Sequence, residues 1–237
     1  MAKKFVYYTS GGSAPFNPKD LDPLLIFDMG EEVFSDAGVT PITNGGSVQR
    51  INNVTLTPVT MYGEETTNKA IWNDVGGLNS KPFITPSHGN VSAYFFDAIT
   101  NVSGEFELFA VIETLTLSSG FQVILSTENI AGRGYARFDY DPDRLLVSVG
   151  SGAGIVSTTY ATNTKYILNI SRDASNLITF RINGVDIGPA THTPAEAIRS
   201  ILGRADTPYR FYYSFFDDSE LSTANRTSVF NYLNTEF

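Results

Sequence analysis

The chain has 237 residues, with 16 lysines and arginines against 25 aspartates and glutamates, a formal net charge of −9, no cysteine and 42% hydrophobic residues. That length and apolar fraction suffice for a packed core of one or two domains and argue against intrinsic disorder. The acidic balance argues against a nucleic-acid groove or an anionic membrane surface, and the lack of cysteine removes disulfides, thiolate metal sites and cysteine nucleophiles.

Thr, Ser and Asn supply 62 of the 237 residues against six lysines, a balance that favours strands and turns over helices. The apolar start of the chain ends at Tyr8, too short for the h-region of a signal peptide, so secretion by that route is not expected. No window approaches the roughly 20 apolar residues of a membrane helix. Phe5 to Thr9 is a short aromatic stretch before the break Gly11-Gly12-Ser13-Ala14-Pro15, so residues 1–16 read as an N-terminal arm or linker and 17–237 as one domain. Between Asp36 and Asn90 the period is poor and Gly, Pro, Thr and Asn are frequent, which predicts long loops or short strands.

From Glu105 to Glu113, Phe106, Leu108, Ala110 and Ile112 alternate with Glu105, Glu107 and Glu113, the period of a half-buried strand. Phe121 to Thr127 and Leu145 to Val149 read as further strands, with Phe121, Val123, Leu125 and Leu145, Val147, Val149 inward. Between them Gly134, Ala136, Phe138 and Tyr140 form one face and Arg133, Tyr135, Arg137 and Asp139 the other, closed by the turn Asp141-Pro142-Asp143. The run Gly150-Ser151-Gly152-Ala153-Gly154 lacks the spacing of a phosphate-binding loop and reads as a loop or glycine-rich hairpin.

Tyr166, Leu168 and Ile170 alternate up to Arg172, Asp173-Ala174-Ser175-Asn176 turns the chain, and Ile178, Phe180 and Ile182 lead to Asn183-Gly184. That dipeptide suits the two positive-φ positions of a type I′ turn before Val185 and Ile187 return, a meander of three antiparallel strands. Pro194 to Leu202 is expected to form a short helix. Arg210 to Phe216 is a strand with Phe211, Tyr213 and Phe215 on one face. Ser222 to Phe237 is a helix capped by Ser222, with Arg226, Phe230, Leu233 and Phe237 in one stripe. The pattern predicts an all-β fold, an antiparallel two-sheet β-sandwich of the jelly-roll kind with a short C-terminal helix.

Several stretches in order carry a family resemblance. They are Asn17 to Asp28 with its proline, leucine pair and aromatic-Asp step; Ile71-Trp72-Asn73-Asp74-Val75-Gly76-Gly77, followed by Lys81-Pro82-Phe83 and Ala93 to Asp97; Tyr166 to Ile187; and Leu221 to Leu233. Together they resemble the concanavalin A-like lectin/glucanase superfamily, in its laminin-G-like branch as found in bacteriophage virion proteins. The resemblance implies a two-sheet jelly roll that binds glycans or other proteins, and it does not by itself imply catalysis.

A glucanase needs two carboxylates facing one cleft. Glu105 and Glu107 share a strand face by spacing, but the family's hydrolytic Glu-x-Asp-x-x-Glu has Glu107 at its middle position and Ala110 at its last, so a solvated strand face is the expectation. His88 and His192 lie in Pro-, Gly- and Thr-rich segments without a nucleophile elbow, which disfavours serine-type catalysis and zinc. Asp139, Asp141 and Asp143 alternate around Pro142 and form a weak calcium candidate, with Asp217-Asp218 at another strand end. Glycan binding uses an aromatic platform with planar polar groups beside it, so Tyr135, Arg137 and Asp139 are candidates. Trp72 is another, although packing against the sandwich is its expected role. Sequons at Asn53, Asn90, Asn101, Asn169 and Asn225 read as chance triplets in an Asn-, Ser- and Thr-rich chain.

The expectation is therefore a non-enzymatic virion surface component of a bacteriophage: a capsid decoration, head fibre or tail-associated lectin-like module. It would bind a neutral host glycan or other virion proteins, form a homo-oligomer, and need no cofactor unless calcium. A cellular glucanase-like enzyme or carbohydrate-binding module is the competing class.

Overall fold

A computed structural model describes residues 15–36, 40–56, 59–63, 70–85, 94–96, 100–102, 104–115, 122–126, 134–139, 144–149, 153–191, 196–198 and 209–237. For 62–63, 94–96, 100–102, 122–126, 134–139, 144–149, 153–157, 190–191 and 196–198 it describes backbone and strand register. The first half of the chain holds β1 (Leu25–Asp28), β2 (Val33–Phe34), β3 (Arg50–Asn52), β4 (Thr60–Gly63), β5 (Ile71–Asn73), β6 (Phe83–Thr85), β7 (Tyr94–Phe96), β8 (Thr100–Val102) and β9 (Phe106–Thr114). Then follow β10 (Gln122–Ser126), β11 (Gly134–Asp139), β12 (Arg144–Val149), β13 (Ala153–Thr159), β14 (Thr164–Arg172), β15 (Leu177–Ile182), β16 (Val185–Thr191), β17 (Glu196–Ile198), β18 (Tyr209–Asp217) and the helix α1 (Thr223–Glu236).

The main sheet runs β16-β15-β14-β9-β18-β6-β5, with β1 also paired to β18. Smaller sheets are β10-β11-β12-β13, β2-β3-β4-β7 and the pair β8-β17. The described pairings are antiparallel, so the expected all-β sandwich with one C-terminal helix is the observed fold. The weakly periodic stretch from Asp36 to Asn90 supplies strands of three or four residues, as its turn-rich composition predicts.

The meander is built as its sequence dictates. Asn183 and Gly184 take φ of 50° and 79°, the left-handed pair that a type I′ turn needs and that matches the twist of the flanking strands. At the preceding turn Asp173 Oδ1 accepts the amides of Ser175 and Leu177 at 2.8 and 2.9 Å, closing an Asx turn with Asn176 at φ 62°.

Three expectations are corrected. β9 is covered on both faces rather than one. Phe106, Leu108, Ala110 and Ile112 pack with Phe27, Ile51, Met61 and Leu168, while Phe109 and Val111 pack under α1 with Val229, Leu233 and Phe237. Strand period cannot reveal a helix laid across the second face. In β18 the register shifts between Phe211 and Tyr213, so Tyr212 is an inserted residue and the alternation inverts there. Phe211 joins the first core cluster, whereas Tyr213 and Phe215 join the second. Finally, Glu196–Ile198, inside the expected helix from Pro194 to Leu202, is the strand β17 paired with β8; pairing overrides the helix propensity of Glu and Ala.

The C-terminal helix has its expected bounds. Ser222 Oγ accepts the amide of Asn225 at 3.2 Å, and the ring of Phe237 lies 5.8 Å from those of both Tyr212 and Tyr213. Among the described residues no helix is long and apolar enough to cross a membrane. The expected arm at 1–16 falls almost wholly outside the described residues; Phe16 packs edge-on against Tyr232 at 6.5 Å.

Candidate functional site

The strand β11 pairs on one side with β10 and on the other with β12, which pairs in turn with β13. Successive cross-strand rows are Phe138–Leu145–Thr158 and Ala136–Val147–Val156, and between them Arg137–Leu146–Ser157 and Asp139–Arg144–Thr159. Alternation along a strand puts the first two rows on one face of the sheet and the last two on the other. Phe138, Leu145, Ala136, Val147 and Val156 therefore make an apolar face. Arg137 and Asp139 share the opposite face with Arg144, Leu146 and Ser157, and Val123, expected inward, lies across from Arg137 on that face; Tyr135 is skipped where the β10-β11 register shifts between Leu125–Ala136 and Ser126–Gly134, so alternation does not carry it there. Thr159 in the Asp139 row is exposed and Thr158 in the Phe138 row is half-buried, so the Asp139 row is on the solvent side where burial is described. Arg144 was not singled out from the sequence; the inward alternation of Leu145, Val147 and Val149 already placed it with Leu146 on the other face, and the register adds that it lies across from Asp139.

Trp72 stands elsewhere, on β5 in the main sheet. It is half-buried and packed against the core, and its indole Nε1–H donates to the Met29 carbonyl at 2.7 Å. The turn after it is fastened at several points. The amide of Asp74 donates to Asn44 Oδ1 at 3.3 Å, and Arg210 Nη1 donates to the carbonyl of Gly76 at 2.9 Å. The amide of Leu78 donates to the Tyr212 hydroxyl at 3.1 Å, and that hydroxyl donates to Glu113 Oε2 at 2.6 Å. Burial pushes the Tyr212 phenol up, and its hydrogen bond to Glu113 pushes it the same way. At Gly77 a Cβ would stand 2.1 Å from the carbonyl oxygen of Lys81, so this position admits only glycine. These bonds build a turn; they do not leave an open aromatic platform.

Glu107 does not lie on a solvated face and does not share a cleft with Glu105. Glu105 is exposed, whereas Glu107 has no exposed surface. Its Oε1 accepts Asn169 Nδ2 at 2.6 Å and Arg226 Nε at 2.8 Å. Its Oε2 accepts Arg226 Nη2 at 2.9 Å and the amide of Leu221 at 3.2 Å. The hydrogen bonds to Glu107 hold the Arg226 guanidinium above its usual range against the opposing effect of burial. The polar chain extends outward on both sides. Arg226 Nη2 meets Glu220 at 2.9 Å, and Arg181 Nη1 donates to Asn169 Oδ1 and Ser171 Oγ at 3.0 and 2.9 Å. Arg181 Nε in turn meets Asp186 at 2.7 Å. This fork-on-fork pair fixes the start of α1 to the middle of the main sheet. Asn169 was absent from the sequence reading as a structural residue, since only its place beside Glu107 in the fold reveals its use.

Asp217 Oδ1 accepts the amide and hydroxyl of Ser219 at 3.0 and 2.6 Å, an Asx turn at the end of β18. Among the described residues no group of three His, Asp or Glu side chains could hold a metal ion; the calcium candidates Asp141 and Asp143 lie outside the described residues, as do His88 and His192, and Asp139 is described by backbone alone. Two sequon asparagines are used in the interior. Asn53 and Asn169 are 9% and 3% exposed, and Asn53 Oδ1 accepts the amide of Ile26 at 2.7 Å.

No family model matches the chain, and no curated protein is similar to it. Solved structures share its fold. The binding domain of botulinum neurotoxin serotype G superposes with a TM-score of 0.58 at 12% identity, over 90% of this chain and 51% of that one. Trypanosoma rangeli sialidase in complex with sialic acid matches at 0.56 and 11%, over 100% and 36%, and the binding domain of Paraclostridial Mosquitocidal Protein 1 at 0.56 and 12%, over 92% and 53%. The chain thus spans about half of the toxin chains and about a third of the sialidase chain. At these identities the likeness is one of fold.

Proposed function

We propose that the chain is a non-enzymatic, glycan-binding jelly-roll module carried on the surface of a bacteriophage virion, as a capsid decoration, head fibre or tail-associated part. The observation that carries the glycan reading is the face of β10-β11-β12-β13 that combines Arg137, Asp139 and Arg144 opposite an apolar face, with Tyr135 beside it at the register shift of β11. An aromatic ring with planar ionic groups beside it meets both the C–H face and the hydroxyls of a sugar. Two of the structures with this fold are the binding domains of toxins, which supports a binding role. The non-enzymatic reading is supported by Glu107, whose two oxygens are both engaged by the fold. The virion assignment rests on the laminin-G-like resemblance, and with it come neighbouring virion proteins and a second copy of the chain as partners.

Saturation-transfer NMR against a panel of mono- and disaccharides tests the binding. Tyr135→Ala is expected to weaken it by about three- to tenfold, the worth of one aromatic contact, without changing the melting temperature. Treatment with EDTA is expected to leave it intact, so loss of binding on chelation would reinstate calcium at Asp139, Asp141 and Asp143. Release of reducing sugar from a β-glucan by the folded protein would overturn the non-enzymatic reading. Mass spectrometry of purified particles checks the virion assignment.

A further inference from the structure

Resting on that glycan-binding reading but on none of its residues, we infer that the face of the β2-β3-β4-β7 sheet carrying Glu32, Phe34, Arg50 and Asn52 is a second saccharide site, built for a hexopyranose.

The strands are short, and their two faces differ in kind. Val33 stands across from Ile51 and Ile51 across from Met61, and all three belong to the core. Alternation turns Phe34, Arg50 and Asn52 to the other face, where they are half-buried and Glu32 is exposed. Phe34 lies directly across from Arg50. The amide of Asn52 donates to the Glu32 carbonyl at 2.9 Å, which sets those two side by side in the neighbouring row. One row thus offers an aromatic ring and a guanidinium, and the next a carboxylate and a carboxamide. Pro41, exposed, bridges to Phe34 on the side away from Arg50. The same row continues in register to Tyr62 on β4 and Phe95 on β7, both described by backbone alone.

The fold fixes the polar groups before any ligand arrives. Asn52 Oδ1 accepts Arg50 Nε at 2.7 Å and the Thr60 hydroxyl at 3.1 Å, and Asn52 Nδ2 donates to Glu32 Oε2 at 3.0 Å. The Arg50 guanidinium lies 5.6 Å from the centre of the Phe34 ring, within the range of a cation–π contact. Glu32 takes φ of 55°, uncommon for a residue with a long side chain, and Asn52 holds it by backbone and side chain alike. Its other oxygen, Oε1, meets no donor among the described residues. An exposed acceptor, held in place, therefore stands beside a guanidinium and an aromatic ring. Neighbouring sugar hydroxyls donate to a carboxylate and accept from a guanidinium, while the C–H face of the ring packs on an aromatic surface. Groups already ordered lose little freedom on binding. Of the acids nearest in the chain, Glu31 pairs with Lys19 at 3.0 Å, and Asp36 accepts the amide and hydroxyl of Thr40; Glu64 and Glu65 after β4 lie outside the described residues.

Amide-resolved NMR of the full chain, titrated with the methyl pyranosides of glucose, galactose and mannose, reads the two faces separately. At least one of the three is expected to move the amide signals of Glu32, Phe34, Arg50 and Asn52 in a saturable way. Phe34→Ala should weaken that response about three- to tenfold. Glu32→Gln keeps an oxygen for Asn52 Nδ2 and loses the charge, and should weaken it about five- to tenfold. Tyr135→Ala should leave it unchanged. If Phe34→Ala fails to fold, the exposed Glu32 variant and the shifts in the unaltered protein carry the decision. Shifts confined to β11 and β12, or shifts on β2 and β3 that both variants leave undiminished, overturn this inference and leave the glycan reading standing. Saturable shifts on β2 and β3 alone uphold it and remove the β11 face as the site. Saturable shifts at neither face overturn both.

Discussion

The helix-covered face of the main sheet and the Arg137 face of the β10-β11-β12-β13 sheet carry the same side-chain types, and the fold treats them differently. Under α1, Glu107, Asn169, Arg181 and Arg226 are joined in one chain of hydrogen bonds and ion pairs, with Glu107 wholly out of water. A carboxylate removed from water at that depth is tolerated only because each of its oxygens has donors. On the Arg137 face the strand register places Arg137 between Val123 and Leu146. On the proposed glycan reading, the contrast separates ionic groups that hold the structure from ionic groups that meet a ligand. It also implies that substitutions on the first face should move stability and leave saccharide binding intact, and that substitutions on the second should do the reverse.

The largest test of that contrast is Glu107→Ala. It takes from the Arg226 guanidinium, 14% exposed, its two-bonded carboxylate and leaves it Glu220 and the Leu221 carbonyl beside a new cavity, and should cost about 3 kcal/mol of unfolding free energy by urea titration. Any remaining folded protein should bind saccharide as before; a cost below about 1 kcal/mol would show that α1 is held by its apolar contacts alone. Gly77→Ala comes next. The added Cβ collides with the Lys81 carbonyl, and forcing the turn apart should cost about 2 kcal/mol, read from the denaturation midpoint. Ser222→Ala removes the cap bond to the Asn225 amide and should cost about 1 kcal/mol, with a small loss of helical signal in circular dichroism.

What the sequence made legible follows the range of the interactions. The meander from Tyr166 to Ile187 was readable because strand period and the Asn183-Gly184 turn are local. So was the helix start at Ser222, a cap within three residues. The face of Tyr213 was not, because one inserted residue at Tyr212 inverts the alternation and leaves no local mark. Glu107 was misread as a solvated face because its partner Arg226 lies far along the chain. Pattern alone cannot announce that a helix arrives to cover a strand. For the candidate site, alternation placed Arg137 and Asp139 together, the register shift of β11 took Tyr135 from them, and it was the pairing of β11 with β12 that brought Arg144 into register with Asp139.

The smallest expected effect lies between the two classes, at Asp28. This residue ends β1 directly across from Tyr213, and its Oδ1 accepts the amide of Gly30 at 2.8 Å. Burial pushes its carboxyl up from the ordinary 3.8, and the charge of Glu31 adds to this; the Gly30 amide and the charges of Lys19 and Lys81 pull it back without cancelling the rise. Tyr232 across the seam is itself pushed up to about 12, by burial and by the charges of Glu236, Asp28 and Glu31. A carboxyl whose folded value exceeds its unfolded one binds its proton more tightly in the native state. The stability linked to it is therefore fully present below about pH 4 and is lost as the pH rises through the folded value. Asp28→Asn keeps an oxygen for the Gly30 amide and removes the charge, so it should melt slightly higher than the unaltered protein at pH 7. That advantage should vanish below about pH 4, where both side chains are neutral. Melting curves of the two proteins from pH 3 to 8 decide the point: a lower melting temperature for Asp28→Asn at pH 7 would place Asp28 with Glu107, among the carboxylates whose charge holds the fold.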